Sequence, residues 1–394
     1  MFETLTTMPP DAILTLIGEH RNDPRDFKID LGVGVYRDAN GLTPILNAVK
    51  KAEQYLVDTQ QTKAYLGSGG NPEFNAAIQS LTFGDAAVAD ERITTLQTPG
   101  GSGSLRVAAG LILRAKAGVS VWTSDPTWAN HFPLLGGAGL ELKSYPYYDA
   151  ENKNIRFDEM LETLDEVPDG EIVLLHGCCH NPTGMDLTRD QWQTVTGLIV
   201  ERKLLPYIDI AYQGFADGLE EDSFPVRLMY GRVPEMLVSS SCSKNFGLYR
   251  DRVGSLSIVA RDGAASAILR SQALNIVRTL YSMPPDHGGV VVSHILNNAE
   301  LRDEWLVELD GMRARLKGVR ALLASALRDK APGHDFSHIE RANGMFSFLG
   351  ISPEQVDRLK SEFAVYIVNS SRINVAGITK DNVEHLASSI AAVL

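Results

Sequence analysis

The sequence predicts an α/β protein in which a mostly parallel sheet is covered on both faces by helices and joined to a smaller α+β domain. Three observations carry that prediction. Between residues 93 and 259, six short runs rich in β-branched and aliphatic residues each end in a polar or glycine-rich turn. Longer segments with helical spacing of apolar residues lie between them, such as 105–117, 156–164 and 189–202. After Leu301 the alternation stops and a different pattern begins.

The predicted strands are 93–97, 119–123, 171–176, 205–210, 236–239 and 253–259. Strands that alternate with helices pair in parallel, because each return crossover lays a helix on a sheet face. Beyond Leu301, a long amphipathic helix to about residue 328, strands at 344–349 and 364–369 and a closing helix from Asp381 form a separate α+β unit. Residues before about Pro44 are too few to fold alone and are expected to complete that unit, preceded by an extended arm. The expected division is an arm over 1–12, a small domain in two parts (13–43 and 312–394) and a large domain over 44–311. The domains should meet over a cleft.

A chain of 394 residues can bury a sizeable core, and its formal net charge of −12 excludes a surface made to wrap nucleic acid or to sit on an anionic membrane. Its three cysteines, Cys178, Cys179 and Cys242, suit neither a disulfide framework nor a zinc site, so a reducing cytosol is expected. Residues 1–20 show no basic segment followed by a long apolar run, and no stretch approaches the roughly 20 apolar residues of a membrane span.

In an open α/β sheet ligands collect beyond the carboxyl ends of the strands. After the first predicted strand comes Gly100-Gly101-Ser102-Gly103-Ser104, whose N–H groups and hydroxyls at a helix start could cup a phosphate. Taken alone such a run marks only a turn, and Arg106 stands where a dinucleotide fingerprint needs its third glycine. Asp209 lies inside the apolar run Leu-Pro-Tyr-Ile-Asp-Ile, where an acid needs either a structural hydrogen bond or a cationic partner such as a protonated ring nitrogen. The stretch from Ser239 to Gly254 then combines a hydroxyl-rich strand end, Lys244 and, eight residues later, Arg252. The serines and Arg252 supply donors for a phosphate dianion, and burial among positive groups lowers the lysine pKa so that a neutral amine can form a Schiff base. An aldehyde cofactor carrying a phosphate fits that set.

These residues resemble the class I aminotransferases, specifically the aspartate and aromatic amino acid aminotransferase subgroup. The likeness runs through Leu31-Gly-Val-Gly-Val-Tyr-Arg-Asp, Tyr65-Leu-Gly, Asp125-Pro-Thr-Trp-Ala-Asn-His, Cys178-Cys-His-Asn-Pro-Thr-Gly, Asp209-Ile-Ala-Tyr-Gln-Gly-Phe, the lysine motif Ser241 to Gly254, and Ser371-Arg-Ile-Asn-Val-Ala-Gly. It covers essentially the whole chain and implies a fold type I transferase, with a seven-stranded sheet between helices plus the small domain. The implied cofactor is pyridoxal 5′-phosphate.

By resemblance, Lys244 attaches the cofactor and, once substrate displaces it, carries the proton between Cα and C4′. Asp209 holds the pyridinium proton, with His131 behind it, and Trp128 stacks on the ring. Tyr212 and Asn181 bond the phenolic oxygen. Gly101, Ser102, Ser241, Ser243 and Arg252 take the phosphate, with Tyr65 reaching in from a second subunit, so that a homodimer shares its active sites. Arg372 clamps the substrate α-carboxylate with Gly34 and Asn181, because a guanidinium fork matches a carboxylate bidentately. Arg278, from the neighbouring subunit, reads the distal carboxylate of aspartate or glutamate. Two departures from the aspartate-selective pattern, Ser102 for threonine and Met283 for asparagine, point toward aromatic substrates, since methionine packs well on rings.

The expected reaction is ping-pong exchange between Tyr, Phe or Trp and 2-oxoglutarate, with aspartate and glutamate also accepted. An aspartate aminotransferase is the alternative, and another fold type I enzyme such as a decarboxylase or carbon–sulfur lyase is disfavoured by Arg278. A non-enzymatic regulator is a remote third, for which no DNA-reading module is expected before Leu31 or after Leu394.

Overall fold

The computed structural model describes residues 1–8 and 10–394. Its centre is a seven-stranded sheet of β1 (Ile93–Pro99), β2 (Ser120–Asp125), β3 (Glu141–Pro146), β4 (Ile172–His176), β5 (Leu205–Ile210), β6 (Met236–Ser241) and β7 (Val253–Val259), in the spatial order β1-β7-β6-β5-β4-β2-β3. All pairings are parallel except those of β7, which runs antiparallel to both β1 and β6. The middle strands β6 and β7 are buried along their whole length, which accounts for their unbroken runs of small and aliphatic residues.

The sequence patterns place six of these strands. The seventh, β3, reads Glu-Leu-Lys-Ser-Tyr-Pro and is largely accessible. It is an edge strand with β2 as its one neighbour in the sheet, and the charged and proline residues that protect an edge also hide it from a search for apolar runs. The helix α1 (Gly100–Ala115) begins earlier than its apolar spacing suggests, because the glycine-rich run is itself the first helical turn.

The reversed direction of β7 shapes the carboxyl edge of the sheet. It brings Val253 opposite Pro99 and Gly254 opposite Ser241, so Arg252 is delivered to the carboxyl ends of β1 and β6 beside the start of α1. Gly100, at φ +69°, permits this approach: a Cβ there would lie 2.5 Å from the Arg252 guanidinium.

The ends of the chain are tied together by short ladders. Ile29–Asp30 pairs in parallel with Val365–Tyr366, and Phe346–Phe348 pairs antiparallel with Arg372–Asn374. The strand at Arg372–Asn374 is too short for a period-two pattern to reveal. The helix Pro353–Phe363 is a further element absent from the sequence expectation, although Ser352 and Gln355 form a reciprocal cap at its start that is legible in the sequence. A 32-residue helix, α2 (Ala299–Lys330), runs unbroken across the expected boundary at residue 311. Trp305 near its start donates to the Asn245 carbonyl at 2.8 Å and stacks on Phe246, bracing the loop that carries Lys244.

Candidate active site

A cavity opens at the carboxyl edge of the sheet. At one end, α1 starts without a side-chain cap on its first-turn N–H groups, which leaves those donors and the positive helix end free to meet an anion. Ser241 Oγ and Ser243 Oγ lie 3.1 Å apart beside it, and Arg252 reaches Ser243 Oγ at 3.4 Å and the Tyr249 carbonyl at 3.1 Å. Hydroxyls, backbone amides and a guanidinium thus converge on one spot suited to a phosphate.

Lys244 follows this cradle in the turn closed by the Gly247 N–H on its own carbonyl, 3.0 Å away. Its Nζ lies 4.9 Å from the centre of the Tyr212 ring, with no carboxylate within ion-pair distance among the described residues. Burial pushes its pKa down to about 8, the Asp209 charge partly opposing and Arg252 reinforcing the shift. Near neutral pH a useful fraction of this amine is therefore unprotonated.

Asp209 occupies the penultimate position of β5, and its Oδ2 is 3.1 Å from His131 Nε2. Burial alone would raise its pKa, but the hydrogen bond to His131 and the neighbouring Lys244 hold it below the ordinary carboxylate value. Behind it, Thr127 Oγ1 is 2.8 Å from His131 Nδ1 and 3.1 Å from His176 Nε2. Burial depresses the His176 pKa to about 3, reinforced by His131, so it is a neutral ring at physiological pH. Asp209 is thus a buried, ionised acceptor facing the cavity.

At the opposite end, Arg372 is 8 % exposed and donates from Nη2 to the Gly32 carbonyl at 2.8 Å. Its guanidinium carbon sits 4.4 Å from the centre of the Phe346 ring. Its Nε is buried without a partner among the described residues, and so is Oδ1 of Asn181. Orphaned buried polar atoms cost free energy unless something bonds them, and both residues line the same cavity. A carboxylate would satisfy the arginine.

Most of the expected site residues therefore meet in one place: Gly34, Gly101, Ser102, Trp128, Asn181, Asp209, Tyr212, Ser241, Ser243, Lys244, Arg252 and Arg372 all line the cavity. Three do not within this chain. Tyr65 is 93 % exposed, Arg278 is exposed in the last turn of the helix Gly263–Leu280, and Met283 accepts the Leu66 N–H through Sδ at 3.0 Å. Sequence reading also missed lining residues. His176 is the last residue of β4 and pairs in register with Asp209, so a scan of strand ends could have found it. Cys178 and Tyr249 sit inside motifs already noted, whereas Ile13 and Phe346 look like ordinary core residues and carry no such signal.

Among the described residues no group of three or more His, Cys, Asp or Glu side chains is placed to hold a metal ion. A lysine that can be neutral, next to an anion cradle and a buried carboxylate, instead meets the needs of an aldehyde cofactor with a phosphate and a basic ring nitrogen. The residues fit that group, and the chain is a pyridoxal-phosphate-dependent enzyme. The family model for aminotransferases of class I and II matches residues 26–390, and the chain belongs to that family. It is 50 % identical over 396 residues to an aspartate aminotransferase of Escherichia coli, covering 100 % of both proteins. It is 48 % identical over 394 residues to an aromatic-amino-acid aminotransferase of Pseudomonas aeruginosa, covering 100 % of this chain and 98 % of that one. Its fold matches that of an aromatic-amino-acid aminotransferase from Burkholderia pseudomallei, covalently bound to pyridoxal phosphate, with a TM-score of 0.97 at 41 % identity over 100 % of this chain and 99 % of the other.

Proposed function

We propose that this aminotransferase exchanges amino groups between the aromatic amino acids Tyr, Phe and Trp and 2-oxoglutarate in a ping-pong cycle, and that it also accepts aspartate and glutamate. The observation that carries this reading is the setting of Arg372: a buried guanidinium with an unpartnered Nε, stacked on Phe346 in a cavity whose wall also includes Ile13, Trp128 and Cys178. One carboxylate is gripped, and the rest of the substrate meets apolar and aromatic walls.

Pyridoxal phosphate, when bound, supplies an aldehyde that captures an amine and a ring that takes up the electron pair released at Cα. Lys244 Nζ would attach the cofactor as a neutral amine and, once freed by substrate, would carry the proton from Cα to the cofactor's C4′, on the other side of the bridging nitrogen. Asp209, ionised and steadied by His131, holds a proton on the ring nitrogen. Trp128 would stack on the ring, and Tyr212 and Asn181 would hydrogen-bond its phenolic oxygen. Arg252, Ser241, Ser243, Ser102 and Gly101 anchor the phosphate. Arg372, Asn181 and Gly34 orient the amino acid by its α-carboxylate.

A homodimer with shared sites belongs to the same proposal, with Tyr65 and Arg278 entering the partner's cavity. It is supported by the exposure of both side chains and by the Ser68 hydroxyl bonding the Ser282 carbonyl at 2.9 Å, which joins their segments on one face. The domain division 1–12, 13–43, 44–311 and 312–394 is proposed too, supported by the ladder between Ile29–Asp30 and Val365–Tyr366. So is a cytoplasmic location, supported by three free, buried cysteines. No helix among the described residues is long and apolar enough to cross a membrane.

An aspartate aminotransferase is the second reading, favoured by the accessibility of Arg278 to a neighbouring subunit. Specificity constants for phenylalanine and aspartate separate the two. The aromatic reading expects values within about tenfold of each other or in favour of phenylalanine, and an aromatic value about a thousandfold below that for aspartate overturns it.

A further inference from the structure

Arg320, on α2, is 1 % exposed, and no carboxylate lies within ion-pair distance of it among the described residues. Its guanidinium is satisfied by backbone oxygens: Ile339 at 2.8 Å, Asn343 at 2.9 Å, Gly344 at 3.0 and 3.1 Å, and Phe346 at 2.5 Å. A buried cation held by carbonyl dipoles alone costs desolvation that an apolar side chain would avoid, so the position of the segment it gathers is where a compensating benefit should lie. That segment ends at Phe346, whose ring supports Arg372 and would meet a Cβ on Gly34 at 3.1 Å.

The same segment is pinned to the loop that carries Asn181. Asn343 donates its backbone N–H to the Gly184 carbonyl at 2.7 Å and its side-chain amide to Asp186 Oδ2 at 3.1 Å. Asp186 in turn accepts from the N–H groups of Cys179 and His180 at 2.9 and 2.8 Å. The approach is so close that a Cβ at Gly184 would lie 2.4 Å from the Phe346 oxygen, and one at Gly344 would lie 2.5 Å from Cys179 Cβ. Arg320, Asn343 and Asp186 thus form one chain of contacts between the backbone under Arg372 and the backbone that presents Asn181.

We propose that Arg320 is a positioning residue for substrate binding: it locks the Phe346 segment onto the Asn181 loop, so that Arg372 and Asn181 face one carboxylate at a fixed separation. The proposal rests on the reading of Arg372 and Asn181 as carboxylate ligands. Arg320 itself touches neither cofactor nor substrate. Its loss leaves Lys244, Asp209 and the phosphate cradle in place, since these are built on β5, β6, β7 and α1.

The test uses cofactor-loaded enzyme and 3-phenylpropionate, an acid with no amino group to react, titrated by the change in cofactor absorbance. Arg320→Gln is expected to weaken this acid about tenfold, and Arg320→Lys and Asn343→Ala about threefold, with KM rising in step. Cofactor affinity stays as in the parent, because Lys244, Asp209 and the phosphate cradle are not displaced, and kcat falls less than KM rises. In an Arg372→Ala background, Arg320→Gln has no further effect on acid binding. Unchanged acid affinity in the folded variants overturns the proposal, as does an equal loss in the Arg372→Ala background, which marks a general loosening. Should Arg320→Gln not fold, Asn343→Ala decides alone by the same criterion. If Arg372→Ala leaves acid binding intact, the carboxylate reading itself fails and Arg320 has nothing to position; with that affinity lost and Arg320 variants unaltered, only the Arg320 proposal fails.

Discussion

At the Lys244 end of the cavity the polar side chains come from adjacent strand ends of one sheet and are largely tied to one another: Ser241 to Ser243, Arg252 to Ser243, Asp209 to His131. At the Arg372 end they come from segments far apart in the chain, as in the Arg372 to Gly32 bond that spans 340 residues, and Nε of Arg372 and Oδ1 of Asn181 stay unpartnered. The first end is a preformed seat on a rigid sheet, where fixed dipoles and charges need little rearrangement when a cofactor binds. The second is incomplete until a ligand supplies its missing bonds. A site that keeps one molecule through many cycles and releases another in each cycle is served by this asymmetry.

Substitutions at the two ends should therefore fail differently. Lys244→Ala is expected to lower turnover by about 10⁴-fold or more, leaving cofactor bound but removable by dialysis. Single-turnover absorbance and cofactor retention check this, and near-normal turnover contradicts it. Arg372→Ala should lower kcat/KM by about 10³-fold with every amino acid while cofactor stays attached, because two charge-assisted bonds are lost from substrate alone. If only dicarboxylates suffer, Arg372 does not hold the α-carboxylate.

Arg278→Ala sharpens the comparison by testing the proposal that this side chain enters the cavity of a neighbouring subunit. It should cost aspartate about 10²-fold in kcat/KM and phenylalanine less than about threefold, and equal losses remove Arg278 from its role. The smallest expected effect is one of pH. Attachment needs the neutral amine, and Lys244 in the cofactor-free protein titrates near 8. Its rate of linkage to added pyridoxal phosphate should thus climb as pH rises from about 6 through about 8 and level off above, whereas an unshifted lysine would keep gaining beyond about 10. Stopped-flow absorbance distinguishes these profiles.

The same asymmetry governs what could be read from the sequence. Lys244, Arg252, Ser241 and Ser243 share one contiguous stretch, and Asp209 stands out as an acid in an apolar strand, so the cofactor end was legible as chemistry. Arg372 needed the family likeness to be singled out, since an arginine after a short strand otherwise reads as surface. Phe346 and Ile13 were invisible, because an aromatic or aliphatic residue in a buried segment looks the same whether it walls a cavity or fills a core. Strand β3 escaped because its edge position favours charge over apolarity. Tyr65, Arg278 and Met283 do not line the cavity of this chain, and only the family likeness assigns Tyr65 and Arg278 to a second subunit.

Every role assigned around the cavity depends on Lys244 as the attachment point, and the most direct test is chemical. Borohydride reduction of the cofactor-loaded enzyme, followed by digestion and mass spectrometry, should find the pyridoxyl mass on the peptide containing Lys244 and on no other lysine. A label on a different lysine, or a cofactor that leaves without reduction fixing it anywhere, contradicts the central claim.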